Sequence, residues 1–227
     1  MGKDSSVTPK GTLTIKDLSA GVSSANVGTA GTATFKAKRG DISASLAVSD
    51  NTVRSVKTLK DVVATLDYKV AKVKGATLNT KYDLGTKKYQ VGATWEGDVG
   101  KKATTVKAWY GSKDGMFAGE ATVVAAKDQK ANVTFNQKEV LTAKYTIVKG
   151  DFTYEPSYDL PKQAPSVAVT KKQGKDAFKL SYNLKTEGAA LEWNRKPLKV
   201  TLSSTVSKNL AFSKPSVSAV FENVYNF

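Results

Sequence analysis

The stretch "VLTAKYTIVKGDFTYEPSYDL", residues 140–160, indicates the fold class because its apolar and polar residues alternate. Positions 141, 143, 145 and 147 are apolar, and positions 142, 144 and 146 are threonine or lysine. Successive side chains of a β-strand point to opposite faces, so this segment predicts a strand with one apolar and one polar face. The apolar face must lie against a protein core or against lipid, and that choice decides the function.

The same alternation recurs along most of the chain, and it predicts further strands. No segment shows the spacing of an amphipathic helix. The alternating runs lie at residues 33–38, 42–49, 62–70, 77–84, 89–96, 131–136, 178–185 and 198–203.

Short turn sequences separate these runs, among them Arg39-Gly40-Asp41 and Lys149-Gly150-Asp151. Consecutive short connections place sequence neighbours side by side, which favours an up-and-down meander over a Greek key. A long meander exposes two edge strands unless it closes on itself. The predicted fold class is therefore all-β, a closed antiparallel up-and-down transmembrane β-barrel of about 14 strands, with a range of about 12–16.

The chain is expected to form a barrel domain over residues 31–227, preceded by an N-terminal segment, residues 1–30, with a possible first strand. That segment lacks the apolar stretch of a signal peptide, and Asp4 and Asp17 fit a cleavable transit segment poorly. Met1-Gly2 followed by Ser6 matches the myristoylation pattern, although Gly2 is alternatively an expression scar. The sequence contains no run of about 18 apolar residues, so it predicts no transmembrane helix.

The chain contains no cysteine and no histidine, which excludes several kinds of site chemistry. A disulfide framework, a thiol nucleophile, a histidine-based triad and an ordinary zinc site all need one of these residues. The carboxylates, such as Glu96, Glu155 and Glu192, are dispersed and show no ligand spacing. We therefore expect no enzyme, with no catalytic, cofactor-binding or metal-binding residues.

The formal net charge is +15, from 35 basic and 20 acidic residues, and lysine supplies nearly all of the positive charge. Arg39, Arg54 and Arg195 are the only arginines. Base readout by nucleic-acid binders relies on arginine, so dispersed lysines favour a general affinity for anions and no nucleic-acid partner. Solubilising lysines on the surface of a soluble protein remain the alternative interpretation.

The polar faces of the predicted strands are rich in threonine, serine, asparagine and lysine, which favours a water-filled lumen over the wet side of a soluble sandwich. Aromatic residues cluster near predicted strand ends and turns, as in the interfacial girdles of membrane barrels, and aromatic residues of a protein core are the equally good alternative. They are Trp95, Trp109, Tyr110, Tyr154, Tyr158 and Trp193. Lysines in an aqueous lumen would attract small anions. The candidate pore-lining residues are Lys36, Lys69, Lys81, Lys107, Lys144, Lys179 and Lys199.

Three segments carry a resemblance to a known family: "GDISASLAVSD" (40–50), "FTYEPSYDL" (152–160) and "ALEWNRK" (190–196). Their order and spacing are similar to those of the twenty-four-kilodalton outer envelope pore proteins of chloroplasts, from about residue 40 to the C-terminus. The chain departs from the family pattern at Ser157, where a cysteine is usual, and in its longer N-terminus and higher lysine content.

The resemblance implies a porin-like passive channel in the chloroplast outer envelope membrane, with the mitochondrial outer membrane as the alternative location. It implies passage of phosphorylated sugars, phosphate, dicarboxylates and similar small charged metabolites with low selectivity. The partners expected are thus the lipid bilayer and small anionic metabolites, without a cofactor. The competing hypothesis is a soluble lysine-rich β-sandwich that serves as a binding or surface-structural protein.

Overall fold

The computed structural model describes residues 5–20, 27–54, 57, 59–207, 209 and 211–227, and most of them belong to one β-sheet. The strands run in chain order with short connections, as the turn sequences predict. They are β1 Ser5–Ile15, β2 Val27–Arg39, β3 Ile42–Ser49, β4 Val63–Lys69, β5 Ala76–Asp83, β6 Lys88–Val99, β7 Lys102–Gly111, β8 Met116–Ala126, β9 Gln129–Asn136, β10 Val140–Lys149, β11 Phe152–Asp159, β12 Ala164–Gln173, β13 Asp176–Asn183, β14 Gly188–Arg195, β15 Leu198–Val206, β16 Phe212–Glu222 and β17 Tyr225–Asn226.

The sheet closes on itself because β1 pairs antiparallel with both β2 and β16. The short strand β17 continues β16 along β1, since the pairs Lys10–Glu222 and Ser6–Asn226 belong to one register. The described residues therefore form a closed antiparallel barrel of 16 strands, which confirms the predicted fold class. The strand number exceeds the central prediction of about 14.

The two ends of the barrel differ in their connections. At one end, which we call the short-turn end, six of the strand pairs from β2 to β15 are joined by two-residue turns, and β1 starts and β17 ends there. In the turn between β6 and β7, Gly100 and Lys101 have φ angles of 56° and 63°. Positive φ at both central residues is the requirement of a type I′ turn, whose twist matches that of the flanking strands. The seventh connection at this end, between β4 and β5, has six residues, and at the opposite, long-loop end every connection has three residues or more.

Two short helices lie in the connections at the long-loop end. They are the 3-10 helix at Leu18–Ala20 and α1 at Asp50–Arg54. Thr52 of α1 is buried and donates a hydrogen bond to the carbonyl oxygen of Lys60 at 2.6 Å, which ties the loop to the end of β3. None of the helices in the described part of the chain has the length and hydrophobicity to cross a bilayer.

The N-terminal residues take part in the barrel. β1 lies within the predicted N-terminal segment, residues 1–30, and β2 begins at Val27, before the expected start of the barrel domain at residue 31. The division into a segment and a domain is not tested by these strands and stays a prediction. The myristoylation hypothesis concerns Gly2, which lies outside the described residues.

The described residues contain no dry core. Their only buried apolar residues are Val62, Ala164 and Ala168, and no large side chain is fully buried. Large apolar residues of the strands are instead exposed, with Leu78 at 50 % and Leu180 at 57 %. A soluble sandwich would bury these side chains between its sheets, so the structure is not that of the competing hypothesis.

Candidate solute pathway

The register of the closed sheet divides the strand residues into two faces, since directly paired residues share a face. In the stretch 140–160, Lys144 pairs with Ser157, and Ile147 pairs with Tyr154. Following such pairs from β1 round to β16 and back to β1 gives one polar and one apolar face without a conflict. The predicted alternation therefore extends coherently around the whole barrel.

The polar face is the concave, inner face. Lys179 on β13 donates a hydrogen bond to a carboxylate oxygen of Glu155 on β11 at 2.7 Å, although β12 lies between the two strands. Side chains converge in this way on the inside of a curved sheet and diverge on the outside. The exposures agree, because the side chain of Glu155 is 18 % exposed whereas Leu180 on the apolar face is 57 % exposed. The interior of the barrel is therefore lined by polar and charged groups.

All seven candidate lysines lie on the inner face by register. Lys36 pairs with Ser45, Lys81 with Gln90 and Lys199 with Asn194, and each partner is polar. The remaining four pair as Lys69–Thr77, Lys107–Thr94, Lys144–Asn132 and Lys179–Thr170. Whether these lysines contact permeating solutes stays a prediction.

Ion pairing separates the seven lysines into two groups. Four of them have a carboxylate within 4.0 Å: Lys107–Glu120 at 3.5 Å, Lys144–Glu155 at 3.6 Å, Lys179–Glu155 at 2.7 Å and Lys199–Glu192 at 2.6 Å. Lys36, Lys69 and Lys81 have no ion pair with any carboxylate of the described residues. The sequence does not reveal this difference, because it depends on the register of neighbouring strands and on contacts that reach across a strand.

Hydrogen bonds between polar side chains connect neighbouring strands along the inner wall. The side-chain amide of Asn79 donates to Asp67 at 2.7 Å, and its oxygen accepts from Thr94 at 2.8 Å. Ser45 and Thr65 share a hydrogen bond at 2.5 Å. No fully enclosed side-chain polar atom among the described residues lacks a partner. The wall is thus wettable, and its polar groups are held in place.

Trp109 corrects one expectation. Its position near a predicted strand end suggests an interfacial aromatic residue, but its partners Gly92 and Ala118 place it on the inner face. Tyr110, the next residue, points outward and contacts Tyr89 and Phe117, with ring centroids 6.5 and 5.1 Å away. Adjacent residues of a strand cannot both face lipid, so alternation alone could have separated Trp109 from Tyr110.

The described residues contain no group of three or more acidic side chains that could hold a metal ion. The inner carboxylates Glu120, Glu155 and Glu192 have lysine partners instead. What the arrangement offers chemically is a water-accessible wall with fixed charges of both signs.

Comparison with known proteins identifies the family. The model of the family described as outer envelope pore protein 24 matches residues 17–227, nearly the whole chain. The chain belongs to the outer envelope pore protein 24 family. This membership confirms the resemblance seen in the sequence, and the protein is a pore-like channel of the chloroplast outer envelope, set in a lipid bilayer.

Solved structures show the same fold at low sequence identity. Two engineered variants of the Rh. blastica porin are similar to this member of the outer envelope pore protein 24 family, with TM-scores of 0.63 and 0.61 and identities of 10% and 9%. Each comparison covers 98% of this chain and 99% of the porin chain. A search of curated protein sequences gives no match.

Proposed function

We propose that this protein is a passive diffusion channel for phosphorylated sugars, phosphate, dicarboxylates and similar small charged metabolites, with low selectivity. The observation that carries the proposal is the predominantly polar inner face of a 16-stranded barrel that has no dry core in its described part. Barrels of 16–18 strands typically leave an aqueous channel. The activity proposed is transport without enzymatic chemistry, and no nucleic acid takes part.

Low selectivity follows from the near balance of charge on the inner face. By register, lysines outnumber carboxylates there only slightly, and most of the net charge of +15 therefore lies outside the inner face. The lysines are Lys10, Lys36, Lys38, Lys69, Lys81, Lys88, Lys107, Lys130, Lys144, Lys172, Lys179 and Lys199, and the carboxylates are Asp67, Asp83, Glu96, Asp98, Glu120, Glu155, Asp159, Glu192 and Glu222. Screening over about 8 to 10 Å at physiological salt weakens the remaining preference.

A modest preference for anions would come from Lys36, Lys69 and Lys81. These unpaired lysines lie on β2, β4 and β5, which occupy one sector of the barrel. An unpaired ammonium group can bind a passing phosphate or carboxylate, whereas a lysine that already contacts a carboxylate has to break that contact first. Permeating anions would therefore follow the wall formed by β2 to β5.

Planar-bilayer recording of the refolded protein tests this proposal. The wild type should give stable conductance steps and a reversal potential in a salt gradient that indicates a small anion preference. The triple variant Lys36→Gln, Lys69→Gln, Lys81→Gln should shift that potential toward cations. A matched triple variant in the turns, Lys74→Gln, Lys101→Gln, Lys175→Gln, removes the same charge away from the inner wall and should shift it less.

The two parts of the proposal fail separately. Correctly folded protein that inserts into bilayers without conductance would contradict the channel itself. Normal conductance with equal shifts in the two triple variants would leave the channel standing, but it would contradict the role of the unpaired lysines.

A further inference from the structure

A lysine on the outward face of the barrel has no carboxylate partner. The register assigns several charged residues to that face, and all but Lys171 stand at the first or last residue of a strand. Lys171 lies inside β12, is exposed, and forms no ion pair with a described carboxylate. A charge facing lipid is costly unless it lies near the interface and finds an anion.

The neighbours of Lys171 form a basic and aromatic row across five strands. Lys149 on β10 pairs with Phe152 on β11, Phe152 with Lys171, Lys171 with Phe178 on β13, and Phe178 with Trp193 on β14. We call these five residues the Lys171 row. All of them point outward, next to the turns of the short-turn end. The row therefore lies where the barrel wall should meet the headgroups.

Aromatic rings of the Lys171 row stabilise the lysine ammonium groups at the level of the headgroups. The Lys171 ammonium nitrogen lies 5.8 Å from the centre of the Phe152 ring, within the range of a cation–π contact. Phe152 and Trp193 place apolar surface at the edge of the hydrocarbon, as interfacial aromatic residues do. The long side chains of Lys149 and Lys171 can bury their methylene stems there and extend their ammonium groups toward the headgroups.

Carboxylates of the protein do not neutralise the row. Asp176, the carboxylate on the outward face beside it, accepts a hydrogen bond from the indole nitrogen of Trp193 at 2.7 Å and lies 3.8 Å from Arg195. Asp151, in the turn before Phe152, forms no ion pair with either lysine. The ammonium groups of Lys149 and Lys171 are thus available to an external anion.

We infer that the Lys171 row is a binding site for the headgroup of an anionic phospholipid. Lys149 and Lys171 lie on strands whose backbones are about 10 Å apart, and they flank Phe152. Their long side chains can lean toward each other, so one phosphate between them could accept hydrogen bonds from both ammonium groups. The acyl chains would then lie against Phe152, Phe178 and the apolar wall beneath them. The charge, the aromatic border and the location at the membrane edge all match such a lipid. This site is independent of which solutes pass through the lumen.

Fluorescence quenching by brominated lipids tests the inference, with Trp193 as the probe. In a Trp95→Phe, Trp109→Phe background, Trp193 is the only tryptophan, and it lies in the row itself. The protein is reconstituted with brominated phosphatidylglycerol or brominated phosphatidylcholine mixed into unlabelled phosphatidylcholine. The anionic lipid should associate at Trp193 more strongly by about fivefold for each of the two lysines.

Three variants in this background identify the residues responsible. Lys149→Gln with Lys171→Gln should abolish the preference, and Lys149→Arg with Lys171→Arg should keep it. Lys102→Gln, an outward lysine of the same end on the distant strand β7, should leave it unchanged. Raising the salt from about 0.05 to 0.5 M should reduce the preference of the parent protein, a result that does not depend on any variant folding.

Equal quenching by the two lipids in the parent protein would overturn the inference. A preference that survives in the folded double glutamine variant, or that does not respond to salt, would overturn it as well.

Discussion

Glu155 is the inner-wall carboxylate that forms ion pairs with two lysines. Its carboxylate lies 2.7 Å from the Lys179 ammonium group and 3.6 Å from that of Lys144. Glu155→Gln would leave two inner lysines without their partner while keeping the shape of the side chain. We expect the reversal potential in a salt gradient to move toward anions in planar-bilayer recordings.

The control for this change is Glu222→Gln. Glu222 lies on the same inner face but contacts a single, half-exposed lysine, Lys10, at 3.5 Å. Its removal should move the reversal potential less than Glu155→Gln does. Equal shifts would mean that local pairing is unimportant and that only the total charge of the lumen counts.

Gly92 lies on the inner wall at a position that has no room for a side chain. A Cβ atom at this position would lie 2.4 Å from the carbonyl oxygen of Ala108 and 2.8 Å from the Cβ of Trp109. The backbone atom cannot move without disturbing the pairing of β6 with β7. Gly92→Ala should therefore lower the free energy of unfolding by about 1–3 kcal/mol, as overpacked sites do. Denaturant titration in detergent micelles measures the change.

Gly111 offers the matched substitution, because it lies on the same inner face and a Cβ there would meet nothing within 4 Å. Gly111→Ala should leave the unfolding free energy close to that of the wild type. A similar loss in both variants would point to a general intolerance of these strands and away from the contact with Trp109.

At the scale of the element, adjacent residues of one strand should respond oppositely to the same charge. Leu180 and Ser181 are neighbours in β13, and Leu180 faces outward whereas Ser181 faces inward. Leu180→Lys should destabilise the folded, inserted state by about 2–4 kcal/mol if the residue lies near mid-bilayer. Ser181→Lys should have little effect. Refolding into lipid vesicles, followed by denaturant titration, compares the two, and equal costs would contradict the assignment of faces.

The sequence predicted individual strands according to how clearly they alternate. The alternating runs include β5, β6, β9, β10 and β13, whose outward positions are mostly apolar and carry no charge inside the strand. The alternating runs do not include β1, β7, β8, β12, β14, β16 and β17. β1 and β16 contain Pro9 and Pro215, β8 is rich in alanine and glycine, and β12 has Lys171 on its outward face. Such residues interrupt the alternation of apolar and polar positions that predicts a strand, and the central prediction of about 14 strands was therefore too low.

For the candidate site, alternation predicts which face each residue lies on, but it does not predict which residues form ion pairs. The face of each of the seven lysines follows from the parity of its position in the strand. Ion pairs such as Lys179–Glu155 join residues 24 positions apart across an intervening strand, and they depend on curvature and register. Neither property is encoded in the local pattern of polar and apolar residues.

Closure is the property of the whole molecule on which the lumen depends. It rests on the pairing of β1 with β16, whose residues are separated by nearly the full length of the chain. Thr12 and Val220 are direct partners, so the double variant Thr12→Cys, Val220→Cys should form an intramolecular disulfide in the otherwise cysteine-free protein. A faster band in non-reducing electrophoresis would report it.

The control for closure pairs Thr12→Cys with Thr201→Cys on β15, which is one strand further away. That pair should not cross-link, because next-nearest strands lie about 10 Å apart. Absence of the first disulfide in folded protein would mean that the sheet is open.

The central claim is that the apolar faces of the strands meet lipid and the polar faces line a water-filled lumen. Single cysteines at positions 177 to 183 of β13 test it most directly, in protein reconstituted into vesicles and labelled with a membrane-impermeant thiol reagent. Lys179→Cys and Ser181→Cys should react rapidly, whereas Leu180→Cys, in the middle of the outward face, should stay protected. Rapid labelling at position 180, or uniform labelling along the strand, would contradict the claim.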